Sequence, residues 1–168
     1  MPEKVEATSS ARVLGAQDGV VMGSPDAVTD RFMICGEESG GGFALVEHGL
    51  APRALAAPLH RHTREDEYSY VLEGRVGALL GEEEVFAEAG ELIFKPRGQW
   101  HTFWNAGDVP ARILEIISPG GFEELFRELG TLVDPPDPET MAALATRYGA
   151  EVDFDRTMPI IERHRLAF

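Results

Sequence analysis

Hydrophobic and polar positions alternate in short runs along most of this chain. Val20-Val-Met22, Arg31-Phe-Met-Ile-Cys35 and Gly42-Phe-Ala-Leu-Val-Glu47 come first, each bounded by turn residues. Glu37-Glu-Ser-Gly-Gly-Gly42 lies between the last two, so they read as a hairpin with a long, mobile loop. From residue 54 to 118 the rhythm continues through Tyr68–Leu72, Arg75–Leu80, Glu84–Ala87, Glu91–Lys95, Trp100–Trp104 and Ala111–Ile117. Glu73-Gly74, Gly81-Glu-Glu83, Gly90, Pro96-Arg-Gly98 and Ser118-Pro-Gly-Gly121 punctuate them. Short strands with turn signals every 8–12 residues or so predict an all-β sandwich or barrel, for which a double-sheet jelly roll is one solution.

After Gly121 the period changes. Phe122, Leu125, Phe126 and Leu129 sit at i, i+3, i+4 and i+7, the spacing of one helical face. Gly130 and Val133-Asp-Pro-Pro-Asp-Pro138 stop that helix. A second helix starts with Asp137 as N-cap and Pro138 at N1, carries Met141, Leu144, Ala145 and Tyr148 inward, and ends at Gly149. A third short helix is expected from about Met158 to His164. The domain reading is a frayed polar segment over 1–11, a β-domain over 12–121, and a helical extension over 122–168 packed on it.

Composition narrows the partners. With 168 residues and 43% hydrophobic positions the chain suits one soluble domain. Twenty-nine acidic against 15 basic residues leave a net charge of −14. Such a surface repels phosphate backbones and anionic lipids, so nucleic acid and membrane are not expected partners. The single cysteine, Cys35, permits neither an internal disulfide nor a cysteine-based zinc site, and is expected to be a small buried hydrophobe. No apolar leader and no run of about 18 apolar residues is present, which points to the cytoplasm.

The chemistry concentrates in two stretches. In Pro58-Leu-His60-Arg-His62, the two histidines project to one face of an extended strand, and Glu67 follows. In Gly90-Glu-Leu-Ile-Phe-Lys-Pro96-Arg-Gly98-Gln-Trp-His101, a third histidine arrives. Three histidines and a carboxylate make a donor set for a divalent first-row metal. Arg64-Glu65-Asp66 reads as a solvated turn, although Glu65 or Asp66 could replace Glu67 as the acidic ligand. By strand parity, Ser69 and Val71 accompany Glu67, and Phe103 accompanies His101, on the cavity side, where they are candidate substrate contacts. Tyr68, Tyr70 and Trp100 point the other way. Trp100, Phe103 and Trp104 read mainly as core. His48 and His164 are expected at the surface, and Gly40-Gly41-Gly42 is no phosphate cradle, because no helix start follows it.

These stretches resemble the two signature motifs of the cupin superfamily. In the first, G(X)5HXH(X)3–4E(X)6G, residues His60, His62, Glu67 and Gly74 fall on motif positions; Ala54 stands where the motif opens with glycine, which affects a turn and not a ligand. In the second, G(X)5PXG(X)2H(X)3N, Gly90, Pro96, Gly98, His101 and Asn105 fit every position. The resemblance implies a mainly β fold, a cupin-type jelly-roll β-barrel with C-terminal helices. It also implies one divalent transition metal per chain (Fe, Mn, Ni, Co or Zn) held by His60, His62, Glu67 and His101. Glu67 would double as a general base, and the motif spacing favours it over Glu65 and Asp66.

From about Gly41 to Tyr148 the chain is further similar to small bacterial monocupins related to quercetin (flavonol) 2,3-dioxygenase. That similarity implies a metal-dependent dioxygenase acting on an enolic or phenolic small molecule. The alternatives are a cupin that binds a small molecule or metal without turnover, and a cupin isomerase or epimerase. The resemblance also implies a homodimer, for which the runs between residues 12 and 35 are candidate edge-covering or exchanged strands.

Overall fold

The computed structural model describes residues 10–168; the expectation for the first eleven residues falls almost wholly outside that range. Ten strands run in succession: β1 Val20–Gly23, β2 Val28–Ile34, β3 Ala44–Leu50, β4 Leu59–His62, β5 Asp66–Glu73, β6 Arg75–Leu80, β7 Glu83–Glu88, β8 Leu92–Lys95, β9 His101–Asn105 and β10 Ala111–Ser118. Two helices follow, α1 Glu123–Gly130 and α2 Pro138–Arg147, then strand β11 Ala150–Asp153 and helix α3 Phe154–His164. The strands form two antiparallel sheets, six-stranded in the order β1-β2-β3-β10-β5-β8 and five-stranded in the order β11-β4-β9-β6-β7. Ladder hydrogen bonds stay within each sheet.

Alternation explains the inner faces. On β3, Ala44, Val46, His48 and Leu50 are buried while Leu45, Glu47 and Gly49 are less so. On β10, Ala111, Ile113, Glu115 and Ile117 point in. Val71, Val76, Ile93 and Ile113 meet at one end of the space between the sheets, and Ala44, Ile117, Phe122, Leu125 and Leu144 at the other. β9 departs from alternation, since all five of its residues are buried. Its outer face is covered by α3 and the C-terminal tail, and Trp104 packs there against Leu55, Ile160 and Leu166.

The C-terminal segment is not purely helical as expected. Ala150–Asp153 adds a strand beside β4, with Ala150 opposite His62 and Val152 opposite His60. Without it, four-residue β4 would be a sheet edge. Thr157 of α3 completes the outer coverage by accepting the Leu59 N–H at 2.9 Å. The Glu37–Gly42 loop, expected to be mobile, makes backbone bonds at both its sides: Gly41 donates to the Gly36 carbonyl at 2.7 Å and Gly120 to the Gly41 carbonyl at 3.1 Å. The second helix begins as expected, with Asp137 accepting the Thr140 N–H at 2.9 Å.

Ala54 needs no glycine, because the preceding Arg53 takes the left-handed conformation (φ 59°) and closes the Ala51–Ala54 turn. Gly98 does require its freedom: at φ 80° it turns the chain between β8 and β9 and donates to the His62 carbonyl at 2.7 Å.

Candidate metal centre

His60 and His62 project to the inner face of β4 because they are two residues apart. His60 is the register partner of His101 on β9, and their rings lie 4.4 Å apart. Glu67 comes from β5 in the opposite sheet, so the site joins the two layers. One donor atom from each of the four residues lies within 4.8 Å of the other three, and all four residues are buried.

The surrounding backbone sets the tautomers. His60 Nδ1 is 2.7 Å from the Pro58 carbonyl, and His101 Nδ1 is 3.1 Å from that of Gln99. A carbonyl only accepts, so each Nδ1 carries the proton and each Nε2 turns a lone pair inward. His101 Nε2 then faces Glu67 Oε2 at 3.2 Å, and His62 Nε2 faces Glu67 Oε1 at 3.4 Å. Neither ring nitrogen of His62 makes a hydrogen bond among the described residues. The His60 and His101 lone pairs and the Glu67 anion converge in a dry space, where a metal cation can take the place of the His62 proton. The donor set therefore fits a divalent metal ion.

Electrostatics follow from burial. Burial, then the charges of His101 and His62, push the His60 imidazole well below its usual range. His101 is also lowered, chiefly by burial, although Glu67 opposes this. Burial works against a charged His62, yet Glu67 outweighs it and raises the pKa to about 9. Burial would raise Glu67; the charges of Lys95 and His62 overcome it and hold the carboxyl well below its usual range.

A second layer of buried charge lies behind Glu67. Lys95 Nζ contacts Glu67 Oε2 at 3.1 Å and Glu115 Oε1 at 2.9 Å, with none of its side chain exposed. Ser69 donates to Glu115 Oε2 at 2.7 Å. Glu65 is buried rather than part of a solvated turn, with its Oε2 3.6 Å from His62 Nδ1. Asp66 is turned away, bound to Arg97 through its backbone and guanidinium. The four converging donors thus include Glu67 and neither of the two alternative carboxylates.

A cavity of about 190 Å³ opens beside the centre. His60 and Glu67 contribute polar wall, and Phe103, Phe122, Phe126 and Leu129 much of the apolar wall. Phe103 is thus where parity placed it. Ser69 lies beneath the wall on Glu115, and Val71 is packed in the core cluster with Ile93 and Ile113. Phe122, the N-cap residue of α1, reaches the site itself, its ring meeting His62 edge-on at 4.2 Å.

The polar cavity residues Asp30, His48 and Glu115 escaped the sequence reading. His48, expected at the surface, is 5% exposed and lines the cavity with Asp30. Its Nδ1 is 2.6 Å from Asp30 Oδ1. His164 is half-buried, stacked on Trp104 at 4.6 Å and paired with Glu84. Cys35 is likewise half-buried rather than in the core. Trp100 lies outside, under Arg61 and Arg156.

Residues 46–117 match the family model of the cupin domain. The match runs from β3 to β10, and the two-sheet fold is shared with solved structures. A solved structure from Thermotoga maritima, described as a predicted oxalate decarboxylase, shares the fold at 20% identity and a TM-score of 0.59, over 64% of this chain and 99% of that one. The polyketide cyclase RemF from Streptomyces resistomycificus is 27% identical with a TM-score of 0.55, over 65% of this chain and 80% of that one. The tetracenomycin polyketide synthase protein TcmJ of Streptomyces glaucescens is 39% identical over 84 residues, 50% of this chain and 54% of that protein. The chain thus spans about half or less of the curated relatives it matches. No described helix is long and apolar enough to cross a membrane.

Proposed function

We propose that this protein is a metal-dependent enzyme that closes a ring in an enolic or phenolic small molecule of polyketide type. The observation that carries the reading is a buried three-histidine, one-carboxylate cluster opening onto an apolar cavity walled by phenylalanines. The likeness to a polyketide cyclase and a polyketide synthase protein supports it. His60, His62, Glu67 and His101 would hold the ion, which would supply Lewis acidity toward a carbonyl or enol oxygen. An apolar cavity of about 150 Å³ accommodates benzene, so 190 Å³ suits one substituted ring, with the remainder of a larger molecule leaving through the open side. Phe103, Phe122 and Phe126 would stack on that ring and exclude water, which favours folding a chain of alternating carbonyls onto itself. Closure by aldol addition and loss of water requires proton transfer and consumes no oxidant.

A second reading is the flavonol-type dioxygenase that the resemblance from about Gly41 to Tyr148 implies, favoured by a donor set that leaves coordination positions for a chelating substrate. Dioxygen separates the two. The protein, loaded in turn with Fe, Mn, Co, Ni and Zn, is incubated with a panel of polyketide-type and flavonol substrates with and without dioxygen, and products are read by mass. Loss of one water without dioxygen supports the cyclase. Gain of two oxygen atoms only in air replaces it with the dioxygenase. Binding without turnover under every condition removes both.

We also propose a homodimer formed on the outer face of β5 and β8. Tyr70, Leu92 and Phe94 are 40%, 55% and 48% exposed there, Tyr68 stacks on Phe94, and β8 is an open sheet edge.

A further inference from the structure

Buried His48 and half-buried Asp30 form a dyad on the cavity wall that the four-donor cluster does not use. They are register partners on β3 and β2, and inward alternation places them with Val46, Leu50, Val28 and Phe32. Both line the same cavity as His60 and Glu67. The Nδ1–Oδ1 separation of 2.6 Å fixes the ring. No hydrogen bond to His48 Nε2 forms among the described residues. Phe126 meets the ring edge-on at 5.3 Å and Phe103 lies 6.2 Å away, so an apolar collar surrounds the polar edge.

We propose that the His48–Asp30 dyad holds the proton released by an enolic or phenolic hydroxyl, binding the ligand as its oxyanion against His48 Nε2–H. In this step the ligand O–H bond breaks, its electron pair stays on oxygen, and the proton resides on Nε2. Asp30 accepts from Nδ1 and stabilises the resulting imidazolium, so it is a positioning residue. Glu67, the carboxylate the motif nominates as base, is poorly placed for that task. Its Oε2 is already shared by Lys95 and His101, and its Oε1 faces His62. His48 has one nitrogen free for a ligand. Three charged groups act on it: Asp30 from β2, Glu115 from β10 and Lys95 from β8. The rings from β9 and α1 are uncharged. Burial opposes its charge, Asp30 outweighs burial, and the imidazole is raised above its usual range.

The inference takes its ligand class from the proposed function and can fail separately from it. The probe is 4-nitrocatechol, whose phenolate absorbs at longer wavelength than its phenol. It is titrated into metal-free and zinc-loaded full-length protein at a pH where free probe is mostly phenol. Wild-type metal-free protein is expected to bind it as phenolate. His48→Gln should restore the phenol band and weaken binding about 10- to 100-fold, the effect of losing one charge-assisted hydrogen bond. Asp30→Asn should move the onset of the phenolate band to higher pH, toward that of free probe. It also decides the matter if His48→Gln does not fold.

A folded His48→Gln with wild-type affinity and an unchanged phenolate band would overturn the proposal and leave the pair as a structural link between β2 and β3. Binding by wild type as phenol only would overturn it equally. Binding by the zinc-loaded form alone would overturn the dyad and leave the metal reading standing. No binding by either form would overturn both.

Discussion

Lys95→Met tests whether the layer behind Glu67 is held by charge. The ammonium is buried 3.1 and 2.9 Å from two carboxylates, although not aligned for a hydrogen bond to either. At an effective dielectric near 20, each contact amounts to roughly 5 kcal/mol of Coulomb attraction. Desolvation of three ions offsets much of the sum, and removing one partner of a buried pair costs about 3–5 kcal/mol. Methionine keeps most of the side-chain volume on Phe103, over which Nζ lies at 4.3 Å. Metal-free Lys95→Met should therefore lose about 3–5 kcal/mol in urea unfolding at unchanged m-value, followed by tryptophan fluorescence. The double variant Lys95→Met/Glu115→Gln should regain about half of that loss, because one of the two stranded anions is gone. A loss under about 1 kcal/mol in the single variant, or strict additivity in the double, would refute the electrostatic account.

Three further outcomes follow from the geometry. His62 rises from 6.5 to about 9 on folding, so its contribution, roughly 3 kcal/mol, is fully present below pH 6.5 and is lost as pH rises through 9. Metal-free protein should lose stability across that window; metal binding at pH 7.5 should release about one proton, read by calorimetry in buffers of different ionisation enthalpy. A pH-independent metal-free stability would contradict that pKa. Glu65→Gln should weaken metal affinity about tenfold by removing the carboxylate beside His62 Nδ1, measured by competition with a chelator, and an unchanged affinity would make Glu65 a bystander. Leu92→Lys/Phe94→Glu should give a monomer by sedimentation with the metal site intact; a persistent dimer would place the interface elsewhere.

The site was legible in sequence where a rule of short range applied. Two-residue spacing places His60 and His62 together, and the helical period brings Phe122, Leu125, Phe126 and Leu129 to one face. What escaped depended on neighbours from distant strands. Lys95 shares its strand face with buried Ile93, which hinted at burial, but its partners Glu67 and Glu115 arrive through the β5–β8 and β5–β10 ladders. His48 also shares parity with apolar Val46 and Leu50; its partner Asp30 depends on the β2–β3 register. β11 is four residues long and exists because β4 offers an edge. Trp104, read as core, is buried although it faces outward, because α3 converts an outer sheet face into an inner one.

If His60, His62, Glu67 and His101 hold a divalent metal, elemental mass spectrometry of purified protein, beside a His101→Ala variant shown to be folded by circular dichroism, will find it. The expected result is about one transition-metal ion per wild-type chain and a loss of most of it in the variant. A wild-type chain that stays empty after Fe, Mn, Co, Ni and Zn have each been offered, or a variant that keeps its full metal content, would contradict it.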